Sequence, residues 1–207
     1  MERKEAKTLT DTLRVVFKDL LDGVGRIFLR MGVHPNTMTI GGLVFSAAGA
    51  WVVAQGRLVE GGLLILASGP FDALDGTLAR LKGEPEEFGA FVDSVSDRYI
   101  ELFIFAGLAW YFTSLQNTFG IMLCFAAAGG TVLVSYIRAR AQGLGFDAKV
   151  GWFTRVERFL VLAPCILFGI PLIGVGIIAL GANVTAVQRI IYVRRESRQR
   201  GAARDDT

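Results

Sequence analysis

Residues 71–97, FDALDGTLARLKGEPEEFGAFVDSVSD, set four carboxylates, Asp72, Asp75, Asp93 and Asp97, in a chain whose flanking segments are almost wholly apolar. Asp72 and Asp75 lie three residues apart, and Asp93 and Asp97 four apart. If both halves are helical, each pair shares one helix face. A carboxylate inside a membrane helix costs about 2.5–3.5 kcal/mol on insertion scales. Groups that expensive, facing one another, repel unless a cation lies between them. Oxygen-only ligands call for a hard divalent ion, Mg²⁺ or Mn²⁺, and four carboxylates can hold two. Gly76 follows the first pair and Gly89 precedes the second by a turn, so each helix offers a spot where a ligand can approach the backbone. The competing structural reading pairs the aspartates with Arg80, Lys82 and Arg98 inside a bundle.

The rest of the chain supplies the apolar setting. A mean hydropathy of +0.47 and 52% apolar residues over 207 residues exceed what a soluble domain carries. The expectation is an all-α integral membrane protein with six transmembrane helices, at roughly 37–56, 60–81, 88–113, 118–140, 156–170 and 171–193. Over residues 9–31 apolar side chains recur near a 3.6-residue period, with Arg14, Lys18, Arg26 and Arg30 between them. That pattern predicts an N-terminal juxtamembrane amphipathic helix ended by Pro35. The charged opening has no apolar stretch, so no signal peptide is expected. Residues 1–35 form the juxtamembrane segment, 36–195 the catalytic domain and 196–207 a basic tail. Basic residues crowd the N-terminal segment, the second-to-third and fourth-to-fifth connections and the tail, whereas the opposite loops hold Arg57 alone. Both termini and all four aspartates therefore face the cytoplasm from a multi-pass position in the cell membrane. Cys124 and Cys165 read as core residues, and nothing points to nucleic acid.

Asp72-x-x-Asp75-Gly76-x-x-Ala79-Arg80, eight residues, then Gly89-x-x-x-Asp93-x-x-x-Asp97 resembles the signature of the CDP-alcohol phosphotransferases without a gap or substitution. The resemblance implies that Asp72, Asp75 and Asp93 ligate the metals, two divalent cations in all, and that Asp97 is the general base and also touches one metal. It implies room for a CDP moiety at Gly76, Ala79 and Gly89, and contact of Arg80 with its phosphates. His34-Pro35-Asn36-Thr37 is similar to the family's pre-helix segment, which places Pro35 and Asn36 at the nucleotide; the plainer reading is a helix start capped by Asn36. Glu86 departs from the family's usual hydroxyl residue there and is left out of the site.

Arginines near the ends of the last three segments suit a phosphorylated acceptor. The pattern is similar to the phosphatidylinositol-phosphate synthase branch, which implies an acceptor phosphate held by Ser135, Arg138, Arg155 and Arg189, with Arg138 standing where relatives have lysine. Glu157 and Arg158 read as an internal pair. The expected reaction moves the phosphatidyl group of CDP-diacylglycerol, or an archaeal CDP-dialkylglycerol, to inositol 1-phosphate with release of CMP. Glycerol 3-phosphate is the alternative acceptor, and a cation transporter with intramembrane aspartates the alternative of another class. Relatives are dimers, and Gly129-Gly130 would permit close packing in a homodimer.

Overall fold

The computed structural model describes residues 16–83 and 87–205. Those residues form seven helices: α1 (Lys18–Arg30), α2 (Pro35–Ala54), α3 (Leu58–Lys82), α4 (Glu87–Ser114), α5 (Thr118–Gly143), α6 (Arg155–Leu167) and α7 (Pro171–Asp205). The expected amphipathic helix is present from Lys18 onward, its earlier part and Glu86 lying outside the described residues. It stops at Arg30, where Gly32 adopts φ +75°, and not at Pro35. Pro35 instead begins α2, since its fixed φ and missing N–H suit the first helical position. The cap of α2 is His34, whose Nδ1 accepts from the Asn36 N–H at 3.3 Å, and Asn36 is already inside the helix.

Among the described residues, three helices are long and apolar enough to cross a membrane: α2, α5 and residues 171–201 of α7. Helices α3 and α4 have the length, at 25 and 28 residues, but carry the acidic motif and its neighbours. Helix α6 has 13 residues, about 20 Å at 1.5 Å per residue, against a hydrocarbon core of about 30 Å. It ends at Leu167 because Phe168, Gly169 (φ +72°) and Ile170 turn the chain into α7. Helix α7 runs twelve residues past its expected end at 193, to Asp205.

Helix α2 packs along α3 and α4, α5 along α7 and α4, α6 against α7 and α3, and α1 lies on α3. Small residues set the closest approach. A β-carbon at Gly61 would lie 2.7 Å from the Gly49 carbonyl oxygen, so α2 and α3 meet backbone to backbone. The main core joins Val53, Ile65, Ile104, Leu108, Ile166 and Ile178, and a smaller one seats Leu21, Val24 and Phe28 of α1 on Met38, Leu74 and Leu78. Many large apolar side chains point outward, among them Trp51, Phe125 and Leu180. Gly130 is spent inside the chain, where a β-carbon would sit 2.6 Å from Asn183 Nδ2 on α7, while Gly129 faces open space.

Candidate functional site

Two helices that a loop joins carry the acidic motif, and their packing decides what it can do. Asp72 and Asp75 fall on the last turns of α3, and Asp93 and Asp97 on the first half of α4. One carboxylate oxygen from each of Asp72, Asp75 and Asp93 lies within 4.8 Å of the others. Three oxygens gathered this closely suit a hard cation, and the group contains no nitrogen or sulfur donor. The donor set fits a divalent ion of that class. Pro70 lies just upstream in α3; its missing N–H leaves one helical carbonyl without its usual partner. Ser68 donates to the Ile65 carbonyl oxygen at 2.6 Å in the same turn.

Each aspartate has its own surroundings. Asp75 is buried and accepts a hydrogen bond from Thr39 Oγ1 at 2.7 Å, a partner on α2. Asp97, also buried, stands outside the group of three; its Oδ1 forms an ion pair with Arg155 Nη2 at 2.7 Å, and Arg98 Nη2 lies 3.8 Å from its Oδ2. The other amine of the same guanidinium, Arg155 Nη1, donates to Asp72 Oδ1 at 2.7 Å. A single arginine thus spans α3 and α4.

Beside the carboxylates a cavity of about 200 Å³ is lined by Pro35, Asn36, Thr39, Asp75, Gly76, Ala79, Gly89 and Asp93, with His34, Lys82 and Ala90 at its edge. Five of the residues expected around a nucleotide, Pro35, Asn36, Gly76, Ala79 and Gly89, thereby share one space with two of the carboxylates. Gly76 can be read either as a helix-packing residue or as clearance for a ligand. A β-carbon built on it meets no atom within 4 Å, so no neighbouring helix needs it small. Asp72 belongs to the carboxylate group and not to the cavity wall. Arg80 is outside that wall as well; it forms an ion pair with Asp22 of α1.

Of the four residues expected at an acceptor phosphate, Arg155, Arg189 and Ser135 are engaged by other groups of the chain. Arg155 is engaged by Asp72 and Asp97. Arg189 is buried and donates from Nε to the Val150 carbonyl at 2.9 Å and from Nη1 to the Val134 carbonyl at 2.6 Å. It ties the 144–154 loop and α5 to α7. Ser135 Oγ donates to the Thr131 carbonyl at 3.3 Å within α5, and Arg138 is exposed. Arg189 nonetheless lies in the electrostatic field of Arg138, Arg158 and Arg98, so positive charge gathers in this part of the bundle.

The expected Glu157–Arg158 pair is replaced by two longer-range arrangements. Glu157 closes a capping box with Thr154, accepting the Thr154 N–H at 2.8 Å, because an N3 carboxylate reaches back to its own cap more easily than sideways. Arg158 is buried and donates to Glu101 Oε1 from Nε at 2.9 Å and Nη2 at 2.5 Å, while Arg98 Nη1 reaches Glu101 Oε2 at 3.3 Å. Glu101 therefore organises two arginines one turn deeper than Asp97. Sequence reasoning missed Thr39 and the Arg155 bridge. A hydroxyl one turn after Pro35 in a largely apolar run was the available signal for the first, and no spacing rule reaches from residue 155 to residue 72.

The family profile of the CDP-alcohol phosphatidyltransferases matches residues 32–188, which spans α2 to most of α7. A phosphatidylinositol phosphate synthase of Streptomyces avermitilis is 35% identical over 209 residues, covering 92% of this chain and 84% of the relative. An archaetidylinositol phosphate synthase of Methanothermobacter thermautotrophicus is 32% identical over 194 residues, covering 90% and 95%. Among solved structures, the phosphatidylinositol phosphate synthase of Mycobacterium tuberculosis with CDP-DAG bound superposes with a TM-score of 0.78 at 27% identity, covering 84% of this chain and 94% of that one. The same enzyme in complex with manganese and citrate gives 0.73 at 28% identity, covering 84% and 88%. Sequence, fold and the arrangement of the acidic helices agree, and the chain belongs to the CDP-alcohol phosphatidyltransferase family.

Proposed function

We propose that this chain is a six-span integral membrane enzyme that transfers the phosphatidyl group from a CDP-diacylglycerol-type lipid, or an archaeal CDP-dialkylglycerol, to inositol 1-phosphate and releases CMP. The observation that carries the proposal is the convergence of Asp72, Asp75 and Asp93 beside a cavity walled by Pro35, Asn36, Gly76, Ala79 and Gly89. Relatives named for inositol phosphate transfer, in a bacterium and an archaeon, support the acceptor. The outward-facing apolar side chains of the helices support burial in lipid.

In this reading Asp72, Asp75 and Asp93 hold divalent cations, Mg²⁺ or Mn²⁺, with Asp97 touching one of two. Bound there, the ions neutralise the diphosphate and improve CMP as leaving group. Gly76, Ala79 and Gly89 leave space for the cytidine diphosphate, and Pro35 and Asn36 close its other side. Arg80 reaches the phosphates once it leaves Asp22. Asp97 takes the proton as the acceptor hydroxyl forms its bond to the lipid phosphorus and the phosphorus–oxygen bond to CMP breaks. Ser135, Arg138, Arg155 and Arg189 receive the acceptor's phosphate from the positively charged side of the bundle.

Residues 1–35 then form the juxtamembrane segment, 36–195 the catalytic domain and 196–207 the basic tail. Helix α1 lies in the membrane interface, since Phe17, Leu20, Ile27 and Met31 stay exposed after Leu21, Val24 and Phe28 are seated on the bundle. The distribution of basic residues puts both termini and the site on the cytoplasmic face of the cell membrane. A homodimer is the proposed assembly. The test is CMP release from CDP-diacylglycerol in Mg²⁺ or Mn²⁺ with labelled inositol 1-phosphate or glycerol 3-phosphate. Labelled lipid from inositol 1-phosphate supports the reading; labelling only from glycerol 3-phosphate moves the acceptor, and no CMP with any alcohol sinks the enzyme assignment.

A further inference from the structure

We propose that Arg155 is a cationic placeholder in the carboxylate site, and that its exchange with the divalent ion couples metal binding to acceptor binding. This inference rests on the metal-site reading above. Its guanidinium puts one amine on Asp72 Oδ1 and another on Asp97 Oδ1, each at 2.7 Å, so one planar fork bridges the two helices. Nearby acidic and basic groups are otherwise engaged: Asp75 by Thr39, Glu101 by Arg158 and Arg98, and Glu157 by Thr154. An ion that binds through Asp72 Oδ1 or Asp97 Oδ1 competes with the guanidinium for that oxygen and displaces that arm of the fork.

The surroundings make that displacement a side-chain movement. Arg155 is the first residue of α6, and the Thr154–Glu157 capping box fixes where that helix starts. Arg158, one turn on, is anchored to Glu101 and to the Phe153 carbonyl, and Arg189 holds the Val150 carbonyl of the preceding loop. With the backbone clamped on both sides, the long Arg155 side chain is the part free to turn. A guanidinium released from Asp72 and Asp97 keeps its charge and becomes available to a phosphate on the acceptor. In the other direction, a phosphate that draws Arg155 away returns Asp97 to its role as proton acceptor. Linkage requires the two effects to be equal: acceptor tightens metal by the factor by which metal tightens acceptor.

The test titrates the full-length protein with Mn²⁺, following free Mn²⁺ by electron paramagnetic resonance, with and without inositol 1-phosphate. Wild type, Arg155→Lys, Arg155→Gln and the site control Asp93→Asn are compared, each first checked for an unchanged unfolding temperature. Lysine keeps the charge but cannot bridge both carboxylates. The placeholder predicts about tenfold tighter Mn²⁺ binding in both Arg155 variants, within the range usual for coupled sites. It also predicts that inositol 1-phosphate tightens Mn²⁺ in wild type and not in Arg155→Gln. Wild-type affinity in Arg155→Lys overturns the inference, since a simple charge effect would explain Arg155→Gln alone. That result leaves the metal site standing if Asp93→Asn still weakens Mn²⁺. Mn²⁺ binding that Asp93→Asn does not alter, or no binding at all, overturns both. If Arg155→Lys does not fold, the loss of acceptor linkage in Arg155→Gln decides.

Discussion

Asp97 and Gly76 show how differently single residues can be read. Asp97 is buried, lies outside the group of three carboxylates, and is held by Arg155 and Arg98, which suits a group that handles a proton more than one that only ligates. Asp97→Asn keeps the shape and loses the basicity. Turnover is expected to fall by roughly 10²–10⁴, the usual contribution of a positioned base, with CDP-lipid binding retained. Single-turnover rates beside equilibrium binding of the CDP-lipid check this, and near-normal turnover would remove Asp97 as the base. Gly76 gives a prediction of opposite character. Because open space surrounds its missing β-carbon, Gly76→Leu is expected to leave the unfolding temperature unchanged or raise it, as leucine favours helix more than glycine does. The same side chain projects into the cavity and is expected to raise the Michaelis constant for CDP-lipid at least tenfold, about 1.4 kcal/mol. A fall in stability with binding intact would return Gly76 to helix packing. The aspartates and both glycines were legible because a local motif fixes their spacing. Arg155 was legible as a functional arginine but not as the partner of Asp72, since 83 residues separate them and only the packing of α6 on α3 brings them together.

At the scale of elements, hydrophobic runs located α2 to α6 to within a few residues and the start of α7, and errors cluster at the ends, where turn chemistry and polar helical sequence outweigh hydropathy. Pro35 reads as a stop when the helix before it is considered and as a start when the helix after it is; Gly32, free to take a positive φ, is the true terminator. The 13 residues of α6 fall short of the run 156–170 because that run stays apolar from Phe159 to its end, while Gly169 turns the chain before the run is over. What holds so short a helix in place is charge. Arg158 of α6 is buried against Glu101 of α4, a pair with nearly all of its water removed. Breaking one side of such a pair leaves an uncompensated charge, at a cost of about 3–5 kcal/mol, whereas replacing both sides with apolar groups is often neutral. Glu101→Gln is therefore expected to lower the unfolding temperature markedly, and Glu101→Met with Arg158→Met to recover much of the loss. Thermal unfolding of the three proteins in one detergent measures this. A double variant no more stable than Glu101→Gln would show that the two side chains do not act as a pair.

For the whole molecule, the argument turns on where charge stands relative to the helices. Arg57 and Glu60 pair at the α2–α3 turn, at the end of the bundle away from the aspartates, while Arg194, Arg195, Arg198 and Arg200 follow the last apolar turns of α7. In the proposed topology positive charge is retained on the cytoplasmic side, which puts the lone basic loop residue outside and the arginine-rich end of α7 inside. Helix α6 makes this arrangement sensitive to error. At about 20 Å it does not by itself match the hydrocarbon thickness, and it reaches the far side only if the 168–170 turn sits within or just below the outer interface. Were α6 to stay on the cytoplasmic side, α7 would cross once more in the other direction and deliver residues 194–200 outside. Single cysteines at Arg57 and at Arg198, in a background with Cys124 and Cys165 replaced by serine, separate the two cases. A membrane-impermeant maleimide added to intact cells is expected to label Arg57→Cys and spare Arg198→Cys. Permeabilised cells should label both. Labelling of both sites from outside would place the two ends of the chain's basic ladder on opposite faces, reduce the spans to five, and move the tail away from the nucleotide-bearing compartment that the carboxylate site requires.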